Sequence, residues 1–270
     1  MPEIRRTALC DPTLTVMLHP AGHLPHFHAV FDGFLDYVER THPEVSAALR
    51  EAAGARFAEI VAAGGLDAPS DAYQALLPSL DRLQRDRLSY TLHLLEVRGD
   101  HTQDVEVTRI AAARARLYPM YEQMRCFRDL LGHEQAIVSI ERYMEEWMAE
   151  RTKTDLSLED LGRFWDRLEG PIHETAEVAV RVHRGKIAAR VEGCLWADVM
   201  RPLGDPELAH SFTCYGDFPQ IRAINPNFVL TRTMTLMQGA PFCDSCSHDL
   251  RHVEAVEHPD RAFFESIGRV

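Results

Sequence analysis

The apolar residues of this chain change their period once, at Gly170-Pro171. Upstream they recur every three or four positions, the spacing of one helix face. Downstream, Ala176, Val178, Val180 and Val182 alternate with Glu177 and Arg181. After His183-Arg184-Gly185-Lys186, Ile187, Ala189 and Val191 alternate again. Alternation is the signature of a half-buried strand, and the residues between the two runs read as a hairpin turn. The change of period separates a helical N-terminal region, residues 1–170, from an α+β region, residues 171–270, and the two are expected to form one integrated unit.

The helical region carries its own punctuation. Residues 1–23 read as an arm or short strand, with residues 13–18 apolar enough for an edge strand or for docking on a neighbour. Pro25 opens a helix, Pro43 opens the next, and Gly64-Gly65 ends it. Ser70 can cap a third, with Pro78 as a kink and Gly99 as its stop. A long helical pattern starts near Thr102, is kinked or divided by Pro119, and ends at Gly132. Residues 133–151 are again helical, with Ile137, Ile140, Tyr143, Met144 and Trp147 inward. Ser157-Leu158-Glu159-Asp160 is a capping box.

Beyond the first hairpin, short helices are expected over residues 195–201, 205–212 and 217–223. A strand follows over 228–237, then a turn at Gly239 and an antiparallel partner over 242–251. The fold class is therefore α+β: a helical half packed on a four-stranded antiparallel sheet in β-β-α-α-β-β order, one face covered by helices. The charged C-terminal residues read as a surface tail or subunit contact, which leaves a homo-oligomer open.

Composition excludes several roles. The formal net charge is −12 and no basic stripe is present, so neither nucleic acid nor a membrane surface is an expected partner. No apolar run is long enough to span a bilayer, and residues 1–10 lack an apolar core segment. Six cysteines in 270 residues are too sparse for a disulfide scaffold. The expectation is a cytoplasmic protein with reduced thiols.

Four of the six cysteines, Cys194, Cys214, Cys243 and Cys246, fall in one stretch. Thiolates attack electrophilic carbon and bind soft metals, so chemistry is expected there. Cys194 stands at a strand–helix joint, where amides and the helix dipole favour a thiolate. Cys214 and Asp217 are spaced as a turn or a helical pair. Asp217 can serve as a general base, orient a cation, or cap the following helix. Cys243-x-x-Cys246 needs a tight turn to bring both thiols to one metal; a zinc on the thiolates is the alternative to a metal-free site. Arg232, on a strand, requires an anion: a substrate carboxylate or an internal Asp or Glu. Asn225 before Pro226 can simply shape a turn. His19, His23, His26 and His28 invite a metal reading, but Pro20, Gly22 and Pro25 break regular ligand spacing.

Taken together, Cys194-Leu195-Trp196, Cys214-Tyr215-Gly216-Asp217, Asn225-Pro226, Arg232-Thr233 and Gly239-x-x-x-Cys243-Asp244 resemble the L-2-amino-thiazoline-4-carboxylic acid hydrolase family. The resemblance covers roughly the last 80 residues. Leu195-Trp196 stands where the family pattern has Pro-Phe, and Ala240-Pro241 where it has an acidic pair. Cys246 falls where no cysteine is expected. The resemblance implies hydrolytic ring opening of a 2-amino-thiazoline carboxylate to an N-carbamoyl amino acid, described as cleavage of a C–N bond. It makes Cys194, Cys214, Asp217 and Cys243 the catalytic candidates, with Cys194 the first choice of nucleophile. Arg232, Asn225 and Thr233 become the substrate-binding candidates, with no cofactor and no metal assigned. The rival is a non-catalytic small-molecule- or metal-binding protein, since the strand order and the late cysteine are also similar to sensing domains of the 4-vinyl reductase type.

Overall fold

A computed structural model describes residues 3–7, 13–75, 77, 80–97, 104–151, 161, 175–183 and 185–267. Backbone contacts divide the chain into Pro12–Ser139 and a second unit of Met1–Asp11 with Ile140–Val270. The expected boundary at Gly170-Pro171 and the capping box at Ser157 lie outside the described residues.

In chain order the first element, β1 (Glu3–Thr7), belongs to the second unit. The helical unit begins with β2 (Thr15–Leu18), followed by α1 (Pro20–Thr41), α2 (Pro43–Gly64), the single turn α3 (Asp71–Gln74) and α4 (Arg82–Leu94). A short strand, β3 (Val105–Thr108), leads into α5 (Arg109–Leu131) and α6 (His133–Arg151), and α6 contains the boundary between units. Proline opens α1 and α2, and Gly65 closes α2 in the left-handed conformation at φ 57°.

Three expectations change here. The first helix starts at Pro20 and runs through Pro25, which withholds one amide near the helix start. The helix expected from Ser70 is broken, because Asp81 and Gln84 form a capping box that starts α4 afresh. The pattern read as helix from Thr102 begins as β3, where Val105 and Val107 alternate. β3 pairs antiparallel with β2, and the Thr108 side chain then caps α5.

The helical unit buries Leu18, Leu24, Tyr73, Leu88, Leu92 and Val107 in one apolar cluster. It also buries Arg87 completely. The guanidinium donates to Asp32 at 2.6 Å, to Gln123 at 3.2 Å and to His28 Nδ1 at 3.3 Å. Burial, then Arg87, push His28 down to about 3, so its imidazole stays neutral. Removing one member of a buried pair leaves the other charge uncompensated. Asp32→Ala is therefore expected to cost about 3 kcal/mol, read as a lower denaturant midpoint of the full chain. An unchanged midpoint would show that Arg87 finds another anion.

The second unit contains β4 (Thr175–His183), β5 (Lys186–Cys194), α7 (Leu195–Met200), α8 (Pro206–Phe212), α9 (Asp217–Ile224), β6 (Phe228–Arg232), β7 (Cys243–Asp249) and α10 (Arg261–Ser266). Its strands form one antiparallel sheet in the order β1-β4-β5-β7-β6. The α+β class holds, but the four-stranded sheet in β-β-α-α-β-β order does not. β1 from the N-terminal arm adds a fifth strand beside β4, which would otherwise present an open edge. The three short helices expected between the two strand pairs are all present, one more than the β-β-α-α-β-β order counts.

Both faces of this sheet are covered. Ile221 of α9 packs with Ile187, Phe228 and Leu161 on one side. On the other, Phe264 and Ile267 pack with Ala188, Phe242 and Cys246. The C-terminal segment expected as a tail is thus the cover of the second face. Arg190 fastens it, donating to the carbonyls of Phe264, Glu265 and Ile267. Among the described residues no helix is long and apolar enough to cross a membrane.

Candidate functional site

β5 and β6 both run antiparallel to β7, so Cys194 ending β5, Arg232 ending β6 and Cys243 starting β7 share one end of the sheet. Arg232 lies opposite Ser245 in the register, and directly paired residues face the same side. Cys243 and Ser245 alternate onto that side, while Asp244 and Cys246 point away.

Arg232 is the hub. Its Nε donates to Ser245 Oγ at 3.0 Å, one terminal nitrogen to the Cys214 carbonyl at 3.2 Å, and the other to Asp217 Oδ2 at 2.7 Å. Its guanidinium sits 5.5 Å from the centre of the Phe218 ring. Burial opposes the charge, but the Asp217 carboxylate outweighs it and holds Arg232 firmly protonated. The Arg232 side chain is 10% exposed and that of Asp217 is 48% exposed. The anion on the arginine is therefore internal, and its carboxylate reaches solvent. Cys214 and Asp217 meet through a turn, with the Asp217 amide bonded to the Cys214 carbonyl at 3.4 Å. Asp217 opens α9, yet its side chain caps no amide.

Cys194, Cys214 and Cys243 lie within electrostatic reach of one another. Burial pushes Cys194 up to about 12 against the opposing pull of the Ala197 and Trp196 amides, neither of which makes a capping hydrogen bond. Burial likewise pushes Cys214 to about 12, against the nearby charge of Arg232. Cys243 is raised by burial too, although its sulfur accepts the Leu236 N–H at 3.2 Å and feels Arg232. The thiolate expected at the Cys194 strand–helix joint is thus not the resting form: a six-residue helix does not offset the desolvation.

Other candidates fall elsewhere. Asn225 Oδ1 accepts the Asn227 amide at 2.9 Å, so Asn225 shapes the turn into β6. Thr233 gives both its amide and its hydroxyl to Asp244. Cys243 and Cys246 occupy opposite faces of an unbroken strand, and the tight turn a Cys-x-x-Cys metal or redox pair needs is absent. The histidines near the N-terminus turn to separate partners, His19 to Asp104 and His28 to Arg87. Among the described residues no group of three or more His, Cys, Asp or Glu is arranged to hold a metal ion.

Sequence reading missed His210, Ser245 and the Leu236 amide. His210, near the end of α8, is half-buried; burial, then Arg232, lower its proton affinity against the pull of Asp217 and Glu207. No motif marks it. It comes within electrostatic reach of Arg232 and Asp217 where the turn after α8 folds back, with the Tyr215 amide on the His210 carbonyl at 2.9 Å.

Residues 108–246 match the family described as L-2-amino-thiazoline-4-carboxylic acid hydrolase. The match starts at the residue that caps α5, well upstream of the extent expected from the motifs, and ends at Cys246 in β7. No curated protein and no solved structure matches the chain. Matched over just over half of its length, the chain belongs to the L-2-amino-thiazoline-4-carboxylic acid hydrolase family.

Proposed function

We propose that this protein is a hydrolase that opens the ring of a small cyclic amidine carboxylate of the 2-amino-thiazoline-4-carboxylate type. The observation that carries this reading is the Arg232–Asp217 pair beside Cys214 and Cys243, with Cys194 within electrostatic reach of both thiols and His210 within electrostatic reach of the pair. Cys194 is the nucleophile. A protonated thiol suits an amidine, because the S–H adds across C=N: sulfur bonds to carbon, and the proton travels through His210 to nitrogen. The ring sulfur then leaves as the carbon–sulfur bond breaks and takes a proton. Water adds to the resulting isothiourea, and release of the Cys194 thiol yields a urea. The sum is substrate plus water.

Atom balance corrects the bond expected from sequence. Opening to an N-carbamoyl amino acid breaks the ring C–S bond and frees a thiol. Opening at the ring C–N bond gives the S-carbamoyl isomer and frees an amine. Both products have the same mass. Asp217, half exposed, takes the amidine N–H groups, while Arg232 holds Asp217 and the Cys214 carbonyl in place.

The test is incubation of the purified protein with 2-amino-thiazoline-4-carboxylate, with product mass and small-molecule thiol followed together. One thiol released per product of substrate-plus-water mass is expected. Product without thiol release would place the scission at the C–N bond. Tight binding of the compound without conversion would make the protein a binder rather than an enzyme.

A further inference from the structure

We propose that His258, which lies beyond the matched segment, is a positioning residue that fixes the loop around Cys243 by way of Asp244. The inference rests on the hydrolase reading only for its effect on turnover.

The loop between β6 and β7 begins where the strand breaks off. The Thr233 and Met234 amides, each at 2.8 Å, and the Thr233 hydroxyl all donate to the Asp244 carboxylate. The loop is braced inside by Thr235, whose hydroxyl bonds Gln238 and whose carbonyl accepts the Ala240 amide at 3.0 Å. Gly239 completes the turn at φ 91°, a region that side chains strain to adopt. The result is that Leu236 aims its N–H at Cys243 Sγ.

Asp244 itself points to the opposite face of the sheet from Cys243, so its carboxylate needs an anchor from that side. His258 supplies one. Its Nε2 lies 3.0 Å from Asp244 Oδ2. Asp244 is 1% exposed; burial opposes its ionisation, but the donors around it prevail and keep it a carboxylate. An ionised carboxylate only accepts, so Nε2 carries the proton. The His258 Nδ1 lies 2.9 Å from the Thr231 hydroxyl, which also meets His248 Nε2 at 2.8 Å and the Cys246 carbonyl at 3.3 Å. The His258 ring also stacks on Phe264 of α10, with centroids 5.2 Å apart. One imidazole thus joins the C-terminal segment, the buried carboxylate and, through it, the loop that touches Cys243.

The test compares wild type with His258→Phe, which keeps a ring against Phe264 but loses both nitrogens, and His258→Gln, whose amide nitrogen can replace Nε2. Each full-length protein is treated briefly with iodoacetamide, and labelling of every cysteine is followed by mass spectrometry. In His258→Phe, Cys243 is expected to label about fivefold faster or more, with Cys194 unchanged, because a local opening exposes only what the loop covers. His258→Gln should restore the wild-type rate. With 2-amino-thiazoline-4-carboxylate, kcat should fall about tenfold in His258→Phe with KM nearly constant. Unchanged Cys243 labelling, or equal acceleration at Cys194 and Cys243, overturns the proposal, the second result marking general loosening. If His258→Phe does not fold, His258→Asn, too short to reach Asp244, gives the same reading. Labelling needs no substrate, so absence of turnover in the wild type would count against the hydrolase reading and leave this one standing.

Discussion

Cys194→Ser is expected to lower kcat by roughly a thousandfold or more while leaving the melting temperature nearly unchanged. Serine is close to cysteine in size, but its oxygen is a far weaker nucleophile when protonated. Protonated is the resting state here, because burial holds the Cys194 thiol at about 12. Cys246→Ser is the internal control. Cys246 lies on the opposite face, fully buried against Phe242 and Phe264. It should retain activity and instead lose about 1–3 kcal/mol of stability, since a hydroxyl is placed among apolar side chains. Full activity in Cys194→Ser would pass the role of nucleophile to Cys243 or Cys214. The same reading fixes a pH dependence. Burial, then Arg232, lower His210 below the ordinary histidine value of 6.5, so the imidazole remains a base at and somewhat below that pH. Turnover should hold steady as pH falls through 6.5 and decline only in more acidic solution.

Where the sequence carried a local signal, it was legible. Pro43 and Gly65 bound α2, Asp205-Pro206 opens α8, and the alternation after residue 175 marks the β4–β5 hairpin. What it hid was set by distant partners. β3 has four residues and is a strand because β2 lies beside it. α10 looked like a charged tail because Phe263, Phe264 and Ile267 show their value only against Phe242 and Cys246. The site followed the same rule. Cys194, Cys214, Asp217, Arg232 and Cys243 were visible as motif residues; the strand ends gather Cys194, Arg232 and Cys243, and the turn before α9 brings Cys214 and Asp217 to them. Strand parity already implied that Cys243 and Cys246 face apart. His210 and His258 carry no spacing that points to Arg232 or Asp244; only the turn after α8 and the return of the C-terminal segment place them. Asn225 and Thr233 show the converse, motif positions whose side chains build turns.

Arg232→Lys and Asp217→Asn should fail in different ways, and the difference decides which of the two meets the substrate. Arg232 bonds Ser245, the Cys214 carbonyl and Asp217 at once. A lysine ammonium keeps the charge, but a single nitrogen cannot reproduce three contacts in fork geometry. With the hub gone, the Cys214 turn and Asp217 lose their fixed positions. kcat should fall about a hundredfold, with a modest change in KM. Asp217→Asn keeps an oxygen for Arg232 to donate to, yet loses the negative charge that faces solvent. A substrate whose amidine N–H groups donate to that carboxylate then binds less well, so KM should rise about tenfold, the scale of one charge-assisted contact. A direct carboxylate clamp by Arg232 predicts the reverse for Arg232→Lys: KM rises and kcat is kept. Steady-state kinetics on both variants separate these outcomes. Replacing the carboxylate of the substrate by an amide adds an independent check: a large loss of binding in the wild type that vanishes in Arg232→Lys would return Arg232 to the role of clamp.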